Sequence, residues 1–271
     1  MPRTAGVDAQ IREDGAIVVR EVGLTAESEV LALGLERLAV AVRVPCDVSG
    51  EALLSALHLP ASKGAIVVVG STAALAPEVE RRIRSLLEEA IAPLAVEGSL
   101  AVLTGATDAG IFSIIGTAMA GHDGALVGVA PVHLVTWPDR ADEGDDPLAL
   151  TPLEPHHSHF VLVDGESWGD ETAALVGLAA ALGVRGPALA VLFGGGPIAH
   201  REAMALVKAG VRVVVIAGSG RVASALAAAA EEPDRGADPG LAALVGDERC
   251  TVFPASGGPA ELMAALRREL G

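Results

Sequence analysis

Eight short, almost unbroken apolar runs recur along the chain, and this rhythm limits what it can fold into. The runs are Leu38–Val44, Ala65–Gly70, Ser99–Thr104, Ala125–Ala130, Phe160–Asp164, Pro187–Phe193, Val211–Ala217 and Cys250–Phe253. A strand with one face in water alternates apolar and polar residues. A strand covered on both faces is apolar throughout, as these are. The stretches between them read as helices. In Glu78–Ile91, Val79, Ile83, Leu86, Leu87 and Ala90 share one face and the charges take the other. Glu171–Leu182, Ala199–Lys208 and Arg221–Glu231 follow the same logic with more alanine. Strands alternating with helices predict an α/β fold, a Rossmann-like, doubly wound, mainly parallel sheet of six to eight strands with helices on both faces. Right-handed crossovers then bring every strand's C-terminal end to one edge of the sheet.

Composition fits this expectation. Hydrophobic residues make up 51% of the chain, but aromatics only 2%, with no Tyr, so the core is built from Val, Leu, Ile and Ala. No apolar run reaches the ~18 residues of a membrane span, and the opening MPRTAGVDAQIRED has no apolar signal core. A soluble, cytoplasmic chain is expected, with Cys46 and Cys250 as two reduced, buried thiols. The net charge of -16 repels nucleic acid phosphates. It leaves room for one small anion held by local dipoles and a single cation. One domain is expected over residues 1–271, with a peripheral segment at 1–37, where residues 10–22 suggest a short strand. The stretch 231–248 reads as a surface insertion, and Thr136–His156 as a long acidic, Pro-rich loop.

Three strand-to-helix turns carry the chemistry. They are Thr104-Gly105-Ala106-Thr107-Asp108-Ala109-Gly110, Gly194-Gly195-Gly196-Pro197 and Gly218-Ser219-Gly220-Arg221. Glycine lets the backbone turn sharply and a ligand come close. The helix that follows offers free N–H groups and the positive end of its dipole, which suits phosphate. Pro197 fits a first helical position. No Walker-type G-x-x-x-x-G-K-[ST] occurs, and no clean G-x-G-x-x-G followed by a distant acid, so ATP hydrolysis and ordinary NAD-dependent dehydrogenation are not indicated. Arg221 opens a helix, where a cation opposes the dipole unless an anion is bound. It reads as a phosphate-gripping side chain or as a solvated, ion-paired one.

The segments LTGATDAG, ALVGVAPV, LEPHHSHFVLVDGESWG, LFGGGP and VVVIAGSGR, in that order, resemble the SLOG superfamily over about residues 38–230. The resemblance is to the branch shared by prokaryotic proteins and the N-terminal homology region of melastatin-type TRP channels. It implies a Rossmann-like fold and ADP-ribose or a related NAD-derived nucleotide as ligand, with no further cofactor. By the same resemblance Thr104 and Asp108 flank the ligand, and Gly218, Ser219, Gly220 and Arg221 hold its phosphate. Enzymatic relatives, the cytokinin-activating phosphoribohydrolases, carry Gly-Gly-x-Gly-Thr-x-x-Glu with a catalytic Glu. Here the turn runs on as Pro197-Ile198-Ala199-His200, the Thr and Glu are missing at that spacing, and Glu202 is out of register.

Glu154-Pro155-His156-His157-Ser158-His159 invites a metal reading, but a metal site wants three or four converging ligands and no distant Cys or His set completes one. The resemblance places this motif at the ligand edge, so Glu154 and His159 are expected near the nucleotide or as organisers of the long loop. Asp164 is expected to take a ribose hydroxyl or to cap a turn. Trp137 and Trp168 are adenine-stacking candidates or hydrophobic anchors. The expected function is a sensor-type nucleotide-binding domain that acts through a separate effector protein or as a homo-oligomer. A hydrolase of a nucleotide N-glycosidic bond is the alternative, and the missing Glu favours binding.

Overall fold

The computed structural model of the chain describes residues 7–11, 17–21, 27–33, 38–138, 140, 150–232 and 238–271. All eight apolar runs are strands: β4 (Leu38–Val44), β5 (Ala65–Gly70), β6 (Ala101–Thr104), β7 (Leu126–Pro131), β10 (His159–Val163), β11 (Ala188–Phe193), β12 (Arg212–Ile216) and β13 (Cys250–Phe253). They lie parallel in the order β4-β10-β7-β6-β5-β11-β12-β13. Beyond β4 the sheet continues with the antiparallel strands β3 (Glu27–Ala32), β2 (Ile17–Glu21) and β1 (Val7–Ile11). The strand expected at 10–22 is thus parts of two strands, with 12–16 outside the described residues. Residues 139 and 141–149 of the acidic loop and residues 233–237 of the insertion are also outside them. The two ends of that loop form a short parallel pair, β8 (Val135–Thr136) and β9 (Thr151–Pro152).

Helices cover both faces, as the rhythm predicted. One face carries α1 (Gly50–Ala56), α5 (Thr172–Arg185), α6 (Pro197–Lys208), α7 (Arg221–Glu231) and α8 (Pro239–Val245), packed on Val67, Val69, Ala190, Leu192, Val213 and Val215. The other carries α2 (Pro77–Leu86), α3 (Ala92–Gly98), α4 (Gly110–Met119) and α9 (Pro259–Leu270), packed on Ile66, Val68, Val102, Val191 and Ile216. The two sets alternate along each strand because successive side chains point to opposite faces. Near β4 and β10 no helix among the described residues covers this second face. Val132, Val135, Trp137 and Leu153 from the long connection close it over Ala41, Phe160 and Leu162.

Local signals set the helix ends. Ser49 caps α1, Asp238 caps α8, and α2, α6, α8 and α9 open on Pro, whose missing N–H costs nothing there. The stretch predicted as one helix over 78–91 is α2 followed by a π-turn at Leu87–Ile91, which runs on into α3. Among the described residues no helix is long and apolar enough to cross a membrane.

Candidate nucleotide site

The strand order fixes where a ligand has room. The helix after β5 packs on one face and the helix after the adjacent β11 packs on the other. The chain therefore parts at the C-terminal ends of these two strands, the switch point where open α/β sheets bind ligands. All three glycine turns open at this edge. The turn after β6 lies on one side of β5, and those after β11 and β12 on the other. From β6 to β12 is three strand spacings, about 14 Å. The turns also touch one another: the Ile111 N–H donates to Ser71 O of the β5 turn at 3.2 Å, and the Gly194 N–H donates to Ser219 Oγ at 2.9 Å.

Under the first turn lies a buried polar network. Glu154 is 1% exposed and accepts bonds from His156 Nδ1 (2.5 Å), the His156 N–H (2.9 Å) and His157 Nδ1 (2.7 Å). With its other nitrogen, Nε2, His157 meets Thr104 Oγ1 at 2.7 Å, and this hydroxyl oxygen accepts the Ala106 N–H at 3.0 Å. Protons assigned to give each one acceptor run from Thr104 to His157 and from His157 to Glu154. Burial alone would raise the Glu154 pKa. The bonds from His157 and His156 outweigh it and hold the carboxyl below its ordinary value. Backbone bonds finish the clasp: Glu154 N–H to Ala106 O at 2.9 Å and Asp108 N–H to Pro152 O at 2.8 Å. Ala106 is held at φ +68, a left-handed conformation that costs about 1–2 kcal/mol in a non-Gly residue. Gly116 of α4 is glycine because a Cβ there would fall onto the Glu154 carboxylate.

The second and third turns form one unit. Gly194, Gly195, Gly218 and Gly220 all have positive φ, a region open to glycine. The carbonyls of Gly194 and Gly195 accept the Ala223 and Val222 N–H groups at 2.8 and 3.4 Å, so the first turn of α7 is capped from inside the protein. Ser219 is buried, and its hydroxyl accepts from Gly194 and donates to Ile216 O at 2.5 Å. The expected phosphate contacts of Ser219 Oγ and the α7 N-terminus are therefore committed to the fold. At α6 the situation differs. Its first turn has no side-chain cap, and the N–H groups of Ile198 and Ala199 have no acceptor within the helix. Arg221 is exposed and held at φ +41. Its guanidinium makes no hydrogen bond or ion pair among the described residues.

A fourth segment reaches this edge. The loop from Gly165 to Glu171 is held by its own carboxylates: Asp170 Oδ2 accepts the Glu166 and Ser167 N–H groups, both at 3.0 Å, and Glu171 Oε2 accepts the Gly169 N–H at 2.7 Å. Gly169 lies against Ile198 and Arg201 of α6. The same loop presents Trp168, which is 39% exposed. Glu171 and Glu202 are both buried. Burial raises the pKa of Glu171. Burial, with the nearby Glu171 charge, pushes Glu202 up to about 8. Among the described residues Glu202 makes no hydrogen bond. Three buried side-chain atoms also have no partner: Thr107 Oγ1, Thr172 Oγ1 and His200 Nε2. They sit in the β6 turn and at the starts of α5 and α6. A native fold leaves few such groups without a reason.

Of the residues expected at the site, Gly105, Thr107, Asp108, Gly110, Gly194, Gly195, Gly196, Pro197, Gly218, Gly220 and Arg221 stand together at this edge. Thr104 and Glu154 are below it and organise the first turn. His159 is elsewhere. It opens β10 opposite Val40 and Val127, at the other edge of the parallel sheet, where burial lowers its pKa to about 4. Asp164 directly follows β10, four spacings or about 19 Å from β11, and pairs with His133 at 3.0 Å. Cys250 is buried as expected, but Cys46 is exposed, with its thiol on Asp164 O. Trp137 is an anchor, buried with Arg43 and Arg140 over its ring. Among the described residues no group of three or more His, Cys, Asp or Glu side chains is placed to hold a metal.

Sequence reasoning missed Ser71, Arg82, Glu171 and the burial of Glu202. Gly70-Ser71-Thr72 repeats the strand-then-glycine signal of the other turns. Arg82, its pKa lowered by burial, donates to Ala217 O and Pro254 O and ties the β12 and β13 turns to α2. Glu202 falls on the buried stripe Ala199, Ala203, Leu206, a visible anomaly in the helical pattern.

Sheet, crossovers and switch-point turns together define a Rossmann-like α/β domain. The sequence model of the family described as "SLOG in TRPM, prokaryote" matches residues 63–264, most of the chain and all four turns. The chain belongs to this SLOG family, which is a family of nucleotide-related domains.

Proposed function

We propose that the protein binds ADP-ribose or a related NAD-derived nucleotide in the crevice at the ends of β5 and β11. The observation that carries this reading is the convergence of glycine turns at the switch point, with the first turn of α6 uncapped beside them. That combination suits phosphate. Arg221 supports it: an exposed guanidinium without a partner among the described residues, on a strained backbone, is what a ligand-gripping residue retains. Trp168 offers an exposed ring at the same edge for a base. The reach of about 14 Å from the β6 turn to the β12 turn suits an elongated diphosphate rather than a lone anion. The net charge of -16 argues against nucleic acid. Binding of this kind is sensor-type, with output through a separate effector.

Calorimetry with ADP-ribose on wild type, Arg221→Ala and Arg221→Lys tests the reading. Charge-assisted bonds are worth about 1.5–3 kcal/mol, so Arg221→Ala weakens binding roughly 10- to 150-fold. Arg221→Lys recovers part, because it keeps the charge and loses the planar fork. Equal affinities in all three proteins would make Arg221 a surface charge and move the ligand elsewhere.

A further inference from the structure

Arg82 makes no use of the acids around it. The chain carries 35 acidic residues against 19 Lys and Arg. Glu78 stands one turn before Arg82 on α2, at the i,i+4 spacing that favours an ion pair. Arg84, two residues on, is paired with Glu80 and Glu88 in that way. Arg82 instead crosses to the sheet edge: Nη1 donates to Ala217 O at 2.9 Å and Nη2 to Pro254 O at 3.1 Å. Among the described residues it pairs with no carboxylate. A charge drawn partly out of water without a counterion is costly, and burial lowers the pKa of this one. The two carbonyls take two of the guanidinium's five N–H donors. The others are left for a negatively charged partner.

Its place says what kind of anion. Ala217 is the residue before the Gly218-Ser219-Gly220-Arg221 turn. Gly218 brings bare backbone up to the guanidinium: a Cβ there would lie 3.8 Å from Arg82 Nη1 and 2.9 Å from Ala255 Cβ. The turn thus has a cation on each side. Arg82 comes from α2 on one face of the sheet, and Arg221 opens α7 on the other. Neither has an acid partner among the described residues. Gly218 and Arg221 are three residues apart, at most about 11 Å between Cα atoms. Two cations on opposite sides of one short turn suit two linked phosphates better than one.

We propose that Arg82 is a specificity-determining residue of the nucleotide site, holding the second phosphate of a diphosphate whose first lies at Arg221 and the start of α6. This rests on the nucleotide reading above and narrows it: the ligand is a nucleoside diphosphate or its ester, and a monophosphate fills only half the site. The bonds to Ala217 O and Pro254 O aim the guanidinium and hold its fork beside Gly218, where it meets phosphate oxygens in a bidentate way.

Calorimetry with ADP-ribose and with AMP on wild type, Arg82→Gln and Arg82→Lys tests this, with circular dichroism and melting as checks on folding. Wild type is expected to bind ADP-ribose at least about tenfold tighter than AMP. Arg82→Gln should lose roughly 10- to 150-fold toward ADP-ribose and stay within about threefold of wild type toward AMP. Arg82→Lys keeps the charge without the fork. It should fall between the two toward ADP-ribose, and it is the deciding variant if Arg82→Gln does not fold. Unchanged ADP-ribose affinity in the deciding variant overturns this proposal and leaves the nucleotide reading intact. An equal loss toward both ligands makes Arg82 only a tie between α2 and the turns, and overturns it as well. No binding of either ligand by wild type overturns both readings.

Discussion

Replacing Glu154 by Gln tests how the first turn is held. The carboxylate accepts three donors, two imidazole nitrogens and a backbone N–H, at 2.5–2.9 Å. Gln keeps the shape but brings one acceptor oxygen and an NH₂ that faces a donor. Breaking a buried charged network by changing one member costs about 3–5 kcal/mol. For a chain of this size that is roughly 6–20 °C in Tm. The loss should carry a pH signature. The folded pKa of Glu154 lies below its ordinary value, so its stabilisation is present above the unfolded carboxyl range and fades as pH falls through the folded value. The gap between wild type and variant is therefore full at pH 7 and narrows below about pH 4. Urea unfolding at a series of pH values measures it. A difference under about 1 kcal/mol at pH 7, or one that grows on acidification, would refute a load carried by this network.

Arg221→Gly separates strain from function: it relieves a left-handed backbone by about 1 kcal/mol and should raise stability while weakening ADP-ribose binding, measured by urea unfolding and calorimetry. Glu202 acts on stability with the opposite sign to Glu154. Its folded pKa is raised to about 8, so its contribution is full below the unfolded carboxyl range and is lost as pH rises toward 8. Glu202→Gln should then match wild type near pH 4 and exceed it above pH 8 by several kcal/mol, at most about 5, in pH-dependent unfolding.

The parallel sheet was legible because a strand buried on both faces must be apolar throughout, and nothing else in this Ala-rich chain makes such short, dense runs. The glycine turns were legible for a similar reason: each directly follows a buried strand. What the turns do with their own atoms was not. Ser219 reads as a phosphate ligand and is a rivet between two turns; the α7 N-terminus reads as vacant and is filled by the carbonyls of Gly194 and Gly195. Such pairings join residues far apart in sequence, where no local pattern reports them. His159 is different, because its place was implicit. A residue that opens a parallel strand lies at the edge opposite the ligand, and the strand assignment alone put it there. Glu202 was readable as a charge on an apolar stripe, whereas its neighbour Glu171 depends on how α5 docks beside α6.

The most direct test of the nucleotide site is a thermal-shift titration with ADP-ribose, run beside double-stranded DNA. A single-site ligand at 100 times its Kd adds about 2.7 kcal/mol, a rise of roughly 5–11 °C here. A saturable rise with ADP-ribose, none with DNA, and a markedly reduced one in Arg221→Ala is the predicted result. No shift with ADP-ribose or any other adenine diphosphate compound at millimolar concentration would contradict the account.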